Sequence, residues 1–158
     1  MLPFKTIVFA TDFSAASNVA FSVASALARD YKARMIVMHV IEPVKMGFAE
    51  FNTYVGPEED KGRALEMLRA IKSPAPTVTL EYRLLEGDPA GVITETAAET
   101  EADLIVLGTH GRTGFTRLIM GSVAEEVLRR APCPVLTVRG AASVKIEEPA
   151  EYPEAVAI

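Results

Sequence analysis

The residues best equipped for chemistry lie close together in the chain: Gly108-Thr109-His110-Gly111-Arg112, then Gly114, Arg117 and Gly121-Ser122. An apolar run precedes them and an amphipathic stretch follows, so the glycines flank a loop that ends at a helix N-terminus. Glycine lets backbone N–H groups turn toward an oxyanion, and a helix start adds unpaired donors and partial positive charge. That is equipment for phosphate. Ser122 offers a hydroxyl or a helix cap, and Arg112 and Arg117 offer charge if they point inward. The alternative is a loop whose glycines serve its turns and bind nothing, and the residues alone leave both readings open. The pattern is not a P-loop, since Gly-x-x-x-x-Gly-Lys-Ser/Thr is absent, nor the dinucleotide fingerprint, which would follow the first strand.

Asp12 ends the first apolar run and is expected to face the same crevice. A carboxylate there can accept hydrogen bonds from ribose hydroxyls or hold a divalent cation near phosphates; it can equally cap the helix that begins near Ser14. His39 and His110 are the only histidines, and neither has a second ligand at metal spacing. His39 is read as a satisfied core or loop histidine, and His110 as a candidate contact for phosphate or base. Cys133, between Pro132 and Pro134, reads as a small apolar filler. No nucleophile–base pair is identifiable from spacing, so no catalytic residue is assigned.

Five apolar, β-branched runs must position these groups: residues 5–11, 34–41, 77–85, 103–108 and 135–139. The first, second and fourth are almost continuously hydrophobic, as parallel strands covered on both faces require, which puts them at the sheet centre. Between them the period becomes helical. Ala16, Val19, Ala20, Val23, Ala24, Leu27 and Ala28 share one face, with Ser14 at the N-cap position. A second helix is expected over 58–72 with Ala64, Leu65, Leu68 and Ile71 inward. A third opens at Asp88-Pro89, where Asp caps and Pro takes the first turn, with Val92, Ile93, Thr96 and Ala97 buried. The fourth starts at Ser122, buries Ala124, Val127, Leu128 and Ala131, and stops before Pro132. This order, βαβαβαβαβ, predicts an α/β fold: a single-domain, open, doubly wound, Rossmann-like sheet of five mainly parallel strands with helices on both faces. Ligands in such sheets bind beyond the carboxyl ends of the strands, where strand order reverses. Residues 42–57 form a long loop that could lid a site, meet a partner or simply pack over the sheet edge. The domain is expected over 1–140, with 141–158 an acidic, flexible tail.

A chain of 158 residues, 49% of them hydrophobic, suffices for one compact core and is short for two ordinary domains. A net charge of −5 argues against a broad electrostatic grip on nucleic acid or an anionic membrane. The single cysteine has no CxxC or Cys/His company, which fits reducing surroundings. Lys5 and Asp12 interrupt the N-terminal stretch, which does not read as a signal peptide. No apolar run reaches the roughly 18 residues of a membrane helix. A cytoplasmic location is the expectation.

The segment Gly108-x2-Gly111-x9-Gly121-Ser122 resembles the pattern of the ATP-binding branch of the universal stress protein family. Ile7 to Ser14, His39-Val40 and Cys133 to Val138 support the resemblance, which runs from about Lys5 to Arg139. It implies an adenine nucleotide alpha hydrolase-like fold binding ATP (or ADP or AMP) with Mg or Mn, in a nucleotide-dependent regulator of the stress response. Ala10, Thr11 and Asp12 would lie near adenine and ribose, and Val40 would meet the adenine edge. Gly108, His110, Gly111 and Arg112 would approach ribose and phosphates; Gly121, Ser122 and Val123 would cradle the phosphates. The family also commonly forms a homodimer through its last strand, here residues 135–138, and a protein partner not named by the sequence is implied. Two alternatives stand beside this reading: a slow ATPase or autokinase using Ser122 or a nearby Thr as acceptor, and a dimeric interaction module that binds no nucleotide.

Overall fold

The computed structural model describes residues 4–43, 57–73, 75–109 and 120–140, with only the backbone described at 57–60. The elements are β1 (Thr6–Ala10), α1 (Ala15–Tyr31), β2 (Arg34–Ile41), α2 (Pro57–Ala70), β3 (Leu80–Glu86), α3 (Pro89–Glu99), β4 (Leu104–Gly108), α4 (Ser122–Arg130) and β5 (Val135–Val138). The strand order is β3-β2-β1-β4-β5, and all four pairings are parallel. The three continuously apolar runs therefore occupy the centre, as burial on both faces demands.

Side-chain alternation along the strands divides the core into two layers. Ile7 and Phe9, Met35 and Val37, Leu104 and Val106 pack with Ala20, Ala24, Ala28 of α1 and Leu68 of α2. The alternate set, Val8 and Ala10, Ile36 and Met38, Ile105 and Leu107, meets Ala90, Ile93 and Ala97 of α3 and Ala124 and Val127 of α4. Each of the large aliphatic side chains buried this way contributes about 1.5–3 kcal/mol. The alanines of α1 lie on the sheet, while Val19, Val23 and Leu27 are only half-buried at the flank of that stripe.

Local signals set the helix starts. Ser14 accepts the Ser17 N–H at 3.2 Å as the N-cap of α1, and Lys32 closes it with φ 55°. Asp88 caps α3 through the Gly91 N–H at 2.8 Å, with Pro89 in the first turn. Three expectations need correction. β3 begins at Leu80, three residues later than its apolar run, because residues 75–77 form a bend and turn whose Ala75 carbonyl accepts the Val78 N–H. α2 ends at Ala70, two residues early, although Ile71 still packs on the core. Leu128 is 42% exposed rather than buried: of the short α4 only Ala124 and Val127 are buried, with Val123 and, at its end, Ala131 partly buried against the same core. The loop residues 44–56 and the segment 141–158 lie outside the described residues.

Candidate functional site

Strand order reverses between β1 and β4: β1 leads outward to β2 and β3, and α3 then carries the chain back to β4 and β5. Loops leaving neighbouring strands in opposite directions open a crevice at the carboxyl ends. A cavity of about 740 Å³ occupies this position, within the usual size of a small-molecule site. Its lining includes Ala10, Thr11, Asp12, Val40, Gly108, Gly121, Ser122 and Val123. Every predicted site residue that is described thus borders one cavity. His110, Gly111, Arg112 and Gly114, together with Arg117, lie outside the described residues.

The β1–α1 turn is built by short-range hydrogen bonds. Phe13 adopts φ 62°, a left-handed conformation unusual for a bulky residue. Its N–H donates to Thr11 Oγ1 at 2.9 Å. Asp12 Oδ1 accepts the Ser14 N–H at 3.0 Å and the Ser17 hydroxyl at 2.7 Å. The carboxylate therefore takes part in fixing the turn into α1, whose N-cap is Ser14, and the same residue lines the cavity.

Burial pushes the Asp12 carboxyl pKa up, but hydrogen bonds from the side chains of Ser14 and Ser17 and from main-chain N–H groups outweigh it and hold the carboxyl below its ordinary value. A carboxylate favoured in the folded state stabilises the fold at pH values above its unfolded pKa, and that contribution is lost as pH falls through the lower folded value. Asp12→Asn is accordingly expected to reduce the loss of stability on acidification from pH 7 to about pH 3. Urea unfolding at both pH values checks this; equal losses in variant and unaltered chain would contradict it.

The β1–β2 ladder ends within the cavity. Thr11 N–H donates to the Met38 carbonyl at 2.9 Å, and the register stops at Ala10 opposite Met38. The next rung of a parallel ladder would run from Val40 N–H to the Thr11 carbonyl. It is not made. That carbonyl instead receives the His39 ring, Nδ1 to oxygen 2.7 Å. A carbonyl only accepts, so Nδ1 carries the proton. Because main-chain groups alternate sides along a strand, and Ile41 bonds toward β3 by accepting the Gly87 N–H, the N–H and C=O of Val40 face the gap beside β1. A donor and an acceptor side by side match the amino-and-ring-nitrogen edge of a purine.

At the other wall, Gly121 precedes α4 with its N–H bonded to the Thr109 carbonyl. The first intrahelical bond to Gly121 comes from Glu125, so the N–H groups of Ser122, Val123 and Ala124 have no partner within the helix. Together with the helix dipole they form an anion-binding terminus. Gly108 has a separate reason to be glycine. A Cβ there would lie 3.0 Å from the Ala16 carbonyl carbon, 3.1 Å from Ala16 Cβ and 3.1 Å from the Ser17 nitrogen. Gly140, which sequence reasoning passed over, clears the same helix, with Ala16 Cα at 2.8 Å from its would-be Cβ.

Sequence reasoning also missed Ser17, the positioning of His39, and a wall supplied by Arg63, Ala64 and Met67 of α2. Arg63 is the only Arg or Lys among the described lining residues. Pro89, in the first turn of α3, also lines the cavity, whereas its capping neighbour Asp88 does not. Among the described residues no three of His, Cys, Asp and Glu gather as a metal site, and no helix is long and apolar enough to cross a membrane.

The model of the universal stress protein family matches residues 3–139. A universal stress protein of Thermus aquaticus is 39% identical over 143 residues, covering 86% of this chain and 99% of its own. Among solved structures, a universal stress protein in complex with cAMP is similar at 25% identity and TM-score 0.66, covering 89% of this chain and all of that one. A universal stress protein family protein of Arabidopsis thaliana with AMP bound shares the fold at 20% identity and TM-score 0.58, covering 87% and 93%. With the family model spanning nearly the whole described chain and a relative more than a third identical along its own length, this chain belongs to the universal stress protein family.

Proposed function

We propose that this protein binds ATP, or ADP or AMP, at the carboxyl ends of β1, β2 and β4 and acts as a nucleotide-dependent regulator in the stress response. The observation that carries this reading is the pairing, in one cavity, of a purine-like main-chain edge at Val40 with the unpartnered helix start at Ser122–Ala124. Asp12 lines the same cavity, and its carboxylate suits ribose hydroxyls. The cAMP complex of a relative supports an adenine nucleotide as the class. His110, Gly111, Arg112 and Gly114 join the site on this reading through their place in the loop between β4 and α4. A Mg or Mn ion would find the carboxylates of Asp12 and Glu42 in the cavity lining and otherwise phosphate and water oxygens, a donor set Mg tolerates.

The domain is read as residues 1–140, with 141–158 as a tail beyond it. Among the described residues β5 pairs with β4 on one side only, and its four residues are half-buried, which supports a homodimer joined along that edge. A regulator must present different surfaces with and without its ligand. Mass spectrometry of small molecules released on denaturing the purified protein tests the ligand class. An adenine nucleotide supports it; a ligand without a purine ring would overturn it.

A further inference from the structure

We propose that His39 is a positioning residue for purine recognition: by occupying the Thr11 carbonyl, its imidazole stops the β1–β2 ladder one rung short and keeps the Val40 N–H available to a ligand. This rests on the reading of the cavity as an adenine nucleotide site. The ladder itself would consume that donor. With Thr11 N–H already on the Met38 carbonyl, the register sets Val40 N–H against the Thr11 oxygen as the following rung. The His39 Nδ1 holds that oxygen at 2.7 Å instead. The Phe13 ring packs on the imidazole with centroids 4.5 Å apart and an interplanar angle of 42°, so the left-handed Phe13 fixes the ring as well as the turn. His39 sits on the α1 side of β2, next in the alternation after Met35 and Val37, and although it borders the cavity, the role assigned to it runs through the main chain.

Without the imidazole donor, the Thr11 carbonyl is left to take the Val40 N–H, and the strands close by one rung. A ligand must then break that bond before reading the Val40 edge. His39→Leu removes the donor while keeping an apolar side chain against Phe13. His39→Asn puts an amide N–H close to where Nδ1 stood and serves as the rescue. Calorimetry is expected to give an affinity about 10-fold weaker for His39→Leu, equally for ATP and adenosine because the base edge is affected, and within about 3-fold of the unaltered chain for His39→Asn. Hydrogen exchange without ligand provides a second readout: the Val40 amide is expected to exchange more slowly in His39→Leu than in the unaltered chain.

If the unaltered chain binds ATP and His39→Leu binds it equally well, or if both variants weaken alike, the positioning role is overturned and the nucleotide site stands. Unchanged Val40 exchange in His39→Leu overturns it as well. If the unaltered chain binds no purine, the site reading itself fails and this inference fails with it.

Discussion

A Gly121→Val variant is expected to bind ATP at least about 100-fold more weakly than the unaltered chain, a loss of roughly 2.7 kcal/mol. The reason is space rather than backbone conformation. Gly121 has φ −72° and ψ 154°, values open to any residue, so valine fits the chain without strain. It borders the cavity immediately before the free N–H groups of α4, where a phosphate must come within hydrogen-bond distance, and a branched side chain competes for that volume. Valine is a poorer N-cap than glycine by about 1 kcal/mol, so a melting temperature a few degrees lower should accompany the lost affinity. Calorimetry and thermal melts on one preparation separate the two effects. Unchanged ATP affinity would remove the α4 terminus from the site.

Gly108→Val should act on the fold first. Its Cβ would stand 3.0–3.1 Å from Ala16 and the Ser17 nitrogen, so the first turn of α1 must shift. Overpacking of this kind costs about 1–3 kcal/mol, and at roughly 2–4 °C per kcal/mol for a chain of this size the melting temperature should fall visibly. ATP affinity should fall with it, since the displaced turn carries Ser17, whose hydroxyl holds Asp12. The steric origin has its own check: Gly108→Ala in an Ala16→Gly background should lose less stability than the sum of the single changes, because the 3.1 Å contact with Ala16 Cβ is gone. Strict additivity would place the cost elsewhere.

The contrast between these two glycines shows where the sequence was legible. Ile7 to Ala10, Met35 to Met38 and Leu104 to Leu107 announced central strands because residues covered on both faces must be apolar throughout. Ser14 and Asp88 announced helix starts because capping is settled within three residues of chain. The glycines after β4 were equally visible, yet their reasons were not. Gly108 yields to a helix nearly a hundred residues earlier in the chain, a contact no local pattern encodes. Leu128 fitted the helical period and still faces outward, since the period alone does not fix how far a short helix's apolar stripe reaches. The α2 wall with Arg63 and Met67 and the rung withheld by His39 depend on how elements meet, and so become readable only with the fold. Asp12 lies between these cases: its place at the end of β1 is legible, while the bonds it accepts from the Ser14 N–H and the Ser17 hydroxyl brace the turn before a helix that Ser14 itself caps.

The central claim, an adenine nucleotide site at the sheet's switch point, is tested most directly by calorimetric titration of the full chain with ATP and with GTP, each with and without Mg²⁺. The account predicts saturable one-site binding of ATP and markedly weaker binding of GTP, whose base edge presents a carbonyl where adenine carries its amino group to the Val40 acceptor. Absence of heat with ATP under all conditions, or equal affinity for ATP and GTP, would contradict it.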